Sequence, residues 1–334
     1  MRLLESDLFP WISSLLQSVG MRCTDAATTA DVFIRASRRG LGHHDLNDLP
    51  GRLEHLQARR INPAPEFKTL RDDPAVYIFD GDGGLGELCC THATRTAITR
   101  AKQFGIGLSA VRGSNHFLGG YPYAQIGAEA GCILIAYTNT DASMVGPGGT
   151  QAVIGNNPIG FGAPGGASLP NMLLDTSLAY SSIGNLRDMA NKNNAIPDHW
   201  ALDASGNPAQ DAQSALAGWR VRPIGEHKGF GLAVMHEVLT GVLSGGATTT
   251  DIPAPGGLNA HSQTVIAITA ETENGLSQLA NQLAQQNLRL PGSNSAQQEQ
   301  QSFSEGIRVK QSTIAKLKKW SHDLGIELPL PVRD

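Results

Sequence analysis

The chain has 334 residues, 17% of them charged, with a formal net charge of −4. That length favours about two domains and permits a large core. The acidic balance and an aromatic content of 5% exclude a global basic field or a base-stacking platform for nucleic acid.

Leu4, Leu8, Trp11, Ile12, Leu15 and Leu16 recur on one face of an amphipathic helix that opens the chain. Glu5 and Asp7, with no long apolar run, set this segment apart from a signal peptide. A second helix is expected through AATTADVFIRASRR to Gly40, with Thr24 as its N-cap. Its Arg35, Arg38 and Arg39 cluster as a solvated helix face does. A third helix begins at Leu49-Pro50 and carries Leu53, Leu56 and Ile61, and NPAPEF (62–67) reads as a linker.

From Val76 to about Val242, strand and helix patterns alternate. The first unit is VYIFDGDGGLGELCC (76–90), in which Gly81, Gly83 and Gly86 fit G-x-G-x-x-G. A strand precedes the glycines, a helix carrying Cys90, Ala93, Ala97 and Ala101 follows, and IGLSAV (106–111) is a second strand. That is the context of a dinucleotide fingerprint, yet the second strand ends at Val111-Arg112-Gly113 without the expected acid. Asp80 and Asp82 would also repel a pyrophosphate. A strand-to-helix turn that needs glycines at positive φ is the competing reading. CILIAYT, MLLD and VIAITA read as further strands. YAQIGAEAG, HKGFGLAVMHEVLTGVLSG and NGLSQLANQLAQQ read as helices. The polar tract GSNSAQQEQQSFSE (292–305) is expected to be a loop, and a helix returns at Thr313–Leu324. Helices at both ends then pack together beside a central α/β unit.

Cys23, Cys89, Cys90 and Cys132 form no C-x-x-C, which points to a reduced, intracellular protein and a cytoplasmic location. No segment has the length and apolarity of a membrane span. Three tracts place histidine in polar, glycine-flanked contexts: GLGHHDLNDLP (40–50), RGSNHFLGGYPY (112–123) and GEHKGFG (225–231). Histidine is the side chain best suited to move protons near neutral pH. The remaining histidines, including His236 and His261, are read as packing residues. Adjacent histidines diverge and no H-E-x-x-H spacing is present, so no metal site is expected. No G-x-S-x-G marks a serine nucleophile.

Several blocks in order resemble those of the malate/L-lactate dehydrogenase family of the second type, a group of NAD(P)-dependent oxidoreductases. They are VRGSNHFLGGYPYAQIGAEAG, YTNT, VGPGGTQAVIGNNPIGFGAP, LLDTSLAYSSIGNL, AIPDHWALDASGNPAQDAQSALAG and GEHKGFGLAVMHEVLTGVLSGGA. The resemblance covers nearly the full length. It implies an α/β, non-Rossmann fold with a mixed-sheet cofactor domain and a helical domain built from both chain ends. Residues 1–65 with 290–334 would form the helical part, 66–118 a small α/β dimerisation segment, and 119–289 the cofactor domain. It also makes Gly81, Gly83 and Gly86 structural, and implies a homodimer with its active site near the subunit interface.

Residue by residue, the resemblance makes His44 the acid that protonates a nascent alkoxide or amine, with His116 as a second proton-transfer or orienting residue. It implies cofactor contacts at Thr140, Asp175, Thr176, Ser177, Lys228, Pro291 and Gly292, and NADH or NADPH as the cofactor. The substrate side departs from the family pattern. His43 stands for its serine, Asp45 for its glycine, Asp48 for the arginine that grips a carboxylate, and Arg52 for a tyrosine. Asp48 and Arg52 would lie one helical turn apart, so Arg52 could anchor substrate with Asp48 pairing it. Alternatively the substrate lacks a free carboxylate or carries an amine that Asp45 and Asp48 recognise, or Asp48 faces solvent. The expected activity is reduction of a carbonyl or cyclic imine by NAD(P)H. The alternative is a family member that has lost catalysis and serves as a binding subunit.

Overall fold

The computed structural model describes residues 1–40, 42, 44–329 and 331–332. The chain begins with β1 (Arg2–Leu3), α1 (Glu5–Ser18) and α2 (Cys23–Arg38), then a 3₁₀ turn at Leu46–Asp48 and α3 (Leu49–Gln57). There follow β2 (Lys68–Asp72), β3 (Val76–Asp80), α4 (Gly86–Phe104), β4 (Ile106–Ser114), α5 (Tyr121–Glu129) and β5 (Cys132–Thr138). The middle holds β6 (Met144–Val145), β7 (Ala152–Ile154), β8 (Ile159–Ala163), β9 (Met172–Thr176), α6 (Ile183–Ala190), β10 (Ala201–Leu202), α7 (Ala212–Gly218) and β11 (Arg220–Val221). α8 (His227–Glu237) runs into a π-helical turn at Val238–Val242. The last elements are β12 (His261–Thr269), α9 (Glu273–Gln285), α10 (Ser293–Glu305), β13 (Ile307–Arg308) and α11 (Gln311–Leu324).

A seven-stranded sheet has the order β2-β3-β4-β12-β5-β8-β9. Only β3 and β4 pair in parallel, and every other neighbour is antiparallel. This is a mixed sheet, unlike the parallel doubly wound sheet of a Rossmann domain. A four-stranded sheet, β10-β11-β6-β7, lies apart from it. Each sheet has its own core. The larger joins α1, α2, α3, α4 and α11 to the seven-stranded sheet through Leu8, Ile12, Phe33, Leu53, Phe79, Tyr123 and Leu317. The smaller gathers Met144, Ile154, Leu178, Leu186, Ala212, Val221 and Ala233. The chain ends meet where β1 pairs with β13 and Trp11 Nε1 donates to Ser321 Oγ at 2.7 Å.

The turn between β3 and α4 decides the glycine motif. Gly81 N donates to Arg112 O at 2.8 Å, and Gly83 N to Gly113 O at 2.9 Å. Those amides are committed to the protein itself, and Asp80 pairs with Arg112 at 3.0 Å. Gly86 answers to a close approach, since a Cβ there would lie 2.2 Å from Asn115 O. The fingerprint is therefore a structural turn, and the Rossmann reading fails.

Three local expectations are corrected. The N-cap of α2 is Arg22, so Thr24 lies inside the first turn. Arg38 and Arg39 are buried: Arg38 pairs with Glu5, and Arg39 with Glu299 at 3.2 Å. Tract 292–305 is largely the helix α10, whose inward residues are polar. Glu299 also accepts from Gln125 Nε2 at 2.9 Å, and Ser302 Oγ donates to Arg38 O at 2.7 Å. A helix that buries hydrogen-bonded polar groups leaves no apolar stripe for periodicity to detect. On α8 and its π turn, by contrast, Leu232, Met235, Val238 and Val242 are exposed.

Candidate active site

His44 follows Gly42 in a tight loop and holds a left-handed backbone, with φ of 55°. Such a conformation costs a non-glycine residue about 1–3 kcal/mol, so surrounding contacts must enforce it. Asp45 supplies some of them. Its carboxylate accepts from Gly42 N at 3.1 Å and Asn47 N at 2.9 Å, capping the 3₁₀ turn. Burial pushes its pKa up against the hydrogen bonds from Asn47. Asp45 thus serves the loop. His43, expected on the substrate side, lies outside the described residues.

The 3₁₀ turn brings Asp48 back under His44, with Nδ1 3.4 Å from Asp48 Oδ2. Burial alone would raise the Asp48 pKa. The His44 hydrogen bond and the charges of Arg52 and His44 outweigh it and hold the carboxyl well below the usual range. The expectation that Asp48 bonds to Arg52 gives way to this pairing, and Arg52 reaches Asp48 by charge alone.

Arg52, on α3, turns inward. Its Nε lies 2.9 Å from Oε1 of Glu87, a fully buried carboxylate in the first turn of α4. Its Nη2 lies 3.2 Å from His116 Nδ1 and 3.4 Å from His116 O. Leu118 N also donates to His116 Nδ1, at 3.2 Å, from a left-handed residue with φ of 67°. Burial lowers the His116 pKa, and the charges of His44 and Arg52 lower it further. Burial lowers that of Arg52 as well, but Glu87 and Asp48 more than restore it. Burial raises that of Glu87 against the pull of Arg52. The His44 and His116 ring centroids lie 4.8 Å apart, and the His261 ring lies 6.3 Å from that of His116. His261 is buried and its pKa is pushed down to about 4, by burial and then by Arg52.

Sequence reasoning missed Glu87 and set His261 aside. The only local sign of Glu87 is one acid within the apolar run LGELCC.

The expected cofactor residues fall on two sides. Asp175, next to last in β9, accepts from Tyr121 N at 3.4 Å. Burial raises its pKa, against hydrogen bonds from Gly120 and Tyr121 and the charge of His44. Gly292, φ 82°, packs so closely that a Cβ would meet Leu173 O at 2.1 Å. Arg39, Tyr121, Asp175, Gly292 and Ser295 line a cavity of about 160 Å³. Pro291 and Gly292 also line a neighbouring cavity of about 180 Å³ with Ala280, Ala284 and Leu288.

The other side rests on the smaller core. Thr140 N donates to Asn157 Oδ1 at 3.0 Å, and Thr140 Oγ1 to Asn156 Oδ1 at 3.3 Å. Asn156 O accepts from Leu178 N, and Leu178 O from Ile224 N, both at 2.9 Å. These bonds join the Thr140 turn to Thr176–Ser177 and to the start of α8. Lys228 is exposed there, at the positive end of the helix. Buried Glu237 holds the frame, accepting from Asn139, Asn157 and Thr249. Among the described residues no group of three or more His, Cys, Asp or Glu could hold a metal ion, and no helix is long and apolar enough to cross a membrane.

The profile of the malate/L-lactate dehydrogenase family matches residues 5–318. A malate dehydrogenase of Pyrococcus abyssi is 34% identical over 253 residues, which is 73% of this chain and 69% of that protein. A (2R)-3-sulfolactate dehydrogenase (NADP(+)) of Chromohalobacter salexigens is 32% identical over 231 residues, 69% of this chain and 68% of that protein. The solved sulfolactate dehydrogenase of Methanocaldococcus jannaschii superposes with a TM-score of 0.87 at 28% identity, covering 98% of each chain.

Proposed function

The chain belongs to the malate/L-lactate dehydrogenase family, and from that premise we propose that this oxidoreductase reduces a carbonyl or cyclic imine with His44 as the proton donor. One observation carries the reading: two imidazoles 4.8 Å apart, one of them paired with a carboxylate. When bound, NADH or NADPH supplies the hydride. As hydride reaches the sp² carbon, negative charge gathers on the adjacent oxygen or nitrogen. His44 delivers a proton there, and Asp48 favours the imidazolium that carries it. The product is the hydroxy or amino compound.

The donor set fits a dinucleotide. Lys228, in the first turn of an 11-residue helix, suits phosphate oxygens. Thr140, Thr176 and Ser177 add hydroxyls, which donate to Asn156 Oδ1, Ser177 O and Ala179 O. Asp175, Pro291 and Gly292 line the two cavities near Arg39. On this reading residues 119–289 form the cofactor domain, 66–118 the dimerisation segment, and the two chain ends the substrate side. Asp48 replaces a carboxylate-gripping arginine, so the substrate differs from plain malate or lactate. A homodimer is part of the proposal, and beyond segment 66–118 it would cover the exposed apolar helix face of Leu232, Met235, Val238 and Val242 in the cofactor domain. A cytoplasmic location agrees with four free cysteines.

The test is fluorescence titration of NADH and NADPH into the purified protein, then a panel of 2-oxo acids and cyclic imines followed at the nicotinamide band. His44→Ala should lower turnover roughly 10²–10⁴-fold. No binding of either nucleotide sinks the proposal and favours a non-catalytic binding subunit.

A further inference from the structure

Two histidines face each other in the site, and their other ring edges meet opposite environments. The Nδ1 of His44 faces a carboxylate, a pure acceptor when ionised. The Nδ1 of His116 faces two donors, the Arg52 guanidinium and the Leu118 amide. A guanidinium offers only N–H groups and keeps its charge, so Nδ1 of His116 must present its lone pair. That fixes the proton of a neutral His116 on Nε2. Protonating Nδ1 would break two hydrogen bonds and place a second cation 3.2 Å from a buried one. Glu87 keeps Arg52 in this pose from beneath, and Gly86 admits the His116 backbone against α4. The charged and titratable groups that face His116 are His44 and Asp48 from the 42–48 loop, Arg52 from α3 and His261 from β12.

We propose that Arg52 and Glu87 are positioning residues that lock His116 as a neutral Nε2–H hydrogen-bond donor, leaving His44 as the sole proton carrier of the pair. The assignment rests on the reading of His44 and His116 as the reductase site. It also narrows the substrate. His116 has a donor to offer and no acceptor, so the group it meets is an acceptor such as a carbonyl or carboxylate oxygen. The N–H of a protonated cyclic imine is excluded there. Arg52 commits its Nε to Glu87 and its Nη2 to His116, which leaves Nη1 as its edge toward a substrate.

The experiment is long-range ¹H–¹⁵N correlation on histidine-labelled full-length protein, with His116 assigned by its loss in His116→Gln. The expected wild-type pattern is one protonated nitrogen, Nε2, and one lone-pair nitrogen, Nδ1, unchanged from pH 5 to pH 9. Arg52→Met alone strands Glu87, so the double variant Arg52→Met with Glu87→Leu is the informative one. It should show mixed tautomers and a titration of His116, and its kcat/KM profile should gain an ionisation absent from the wild type. Arg52→Lys with Glu87 retained should restore the neutral ring. An imidazolium or Nδ1–H pattern in the wild type overturns the proposal, as does a double variant whose His116 is unchanged. These spectra decide the matter whether or not any substrate turns over, which separates this inference from the reductase reading.

Discussion

Two buried glutamates hold the two sides of the site, and they do so by different means. Glu87, in the larger core, meets a cation through one oxygen, while among the described residues its Oε2 has no hydrogen-bond partner. Glu237, beside the smaller core, accepts from Asn139, Asn157 and Thr249 through both oxygens. Neutral donors orient a turn and add no net positive charge. An arginine orients its partner and adds a positive charge, which reaches the next titratable ring. On the proposed reading, the side of His44 and His116 has the charged pair, and the side of Thr140 and Lys228 has the amide network.

The largest effect should come from Glu87→Ala, which leaves Arg52 buried without its partner. Such a loss costs about 3–5 kcal/mol, measurable by urea denaturation. A cost below about 1 kcal/mol would show that water reaches Arg52 freely and would remove the contrast. Next is Asp48→Asn, which takes a charged hydrogen-bond partner from His44. Hydrogen bonds to charged groups contribute roughly 1.5–3 kcal/mol, so kcat should fall about tenfold to a hundredfold. Unchanged kcat would leave Asp48 outside the proton path.

Glu237→Gln keeps the shape but turns one acceptor into a donor. It should cost about 1–3 kcal/mol of stability, and weaken nucleotide binding without shifting the pH profile. A shifted profile would mean that this network also tunes charge. The smallest effect concerns His261. Its pKa in the fold is about 4, whereas an unfolded histidine titrates near about 6.5. The unfolded chain then binds more protons between those limits, so stability falls as pH drops through that window. His261→Asn should flatten that slope by up to one proton, and an unaltered slope would mean that His261 is protonated in the fold.

Much of this was legible from local pattern. Leu8, Ile12 and Leu15 announce the first helix because one turn repeats every 3.6 residues. The turn at 81–86 was recognisable but locally ambiguous; the family blocks made it structural, and the Arg112 and Gly113 carbonyls show where its amides go. Helix α10 escaped because Glu299 and Ser302 are buried polar residues whose partners lie far away in sequence. The buried Arg38 and Arg39 were misread for the same reason. A run of arginines looks solvated until its acids arrive from Glu5 and Glu299.

The sequence by itself determined the three histidine tracts, the alternation of strand and helix, and the blocks that carry the family. Each is a matter of residues within a turn or two of one another. Only the tertiary structure decided which partner each histidine keeps. Asp48 reaches His44 across four residues, but Arg52 meets Glu87 across 35 and His116 across 64. Several polar groups compete for each buried donor. The winner is set by which elements pack together, because burial makes an unpaired charge too costly to leave.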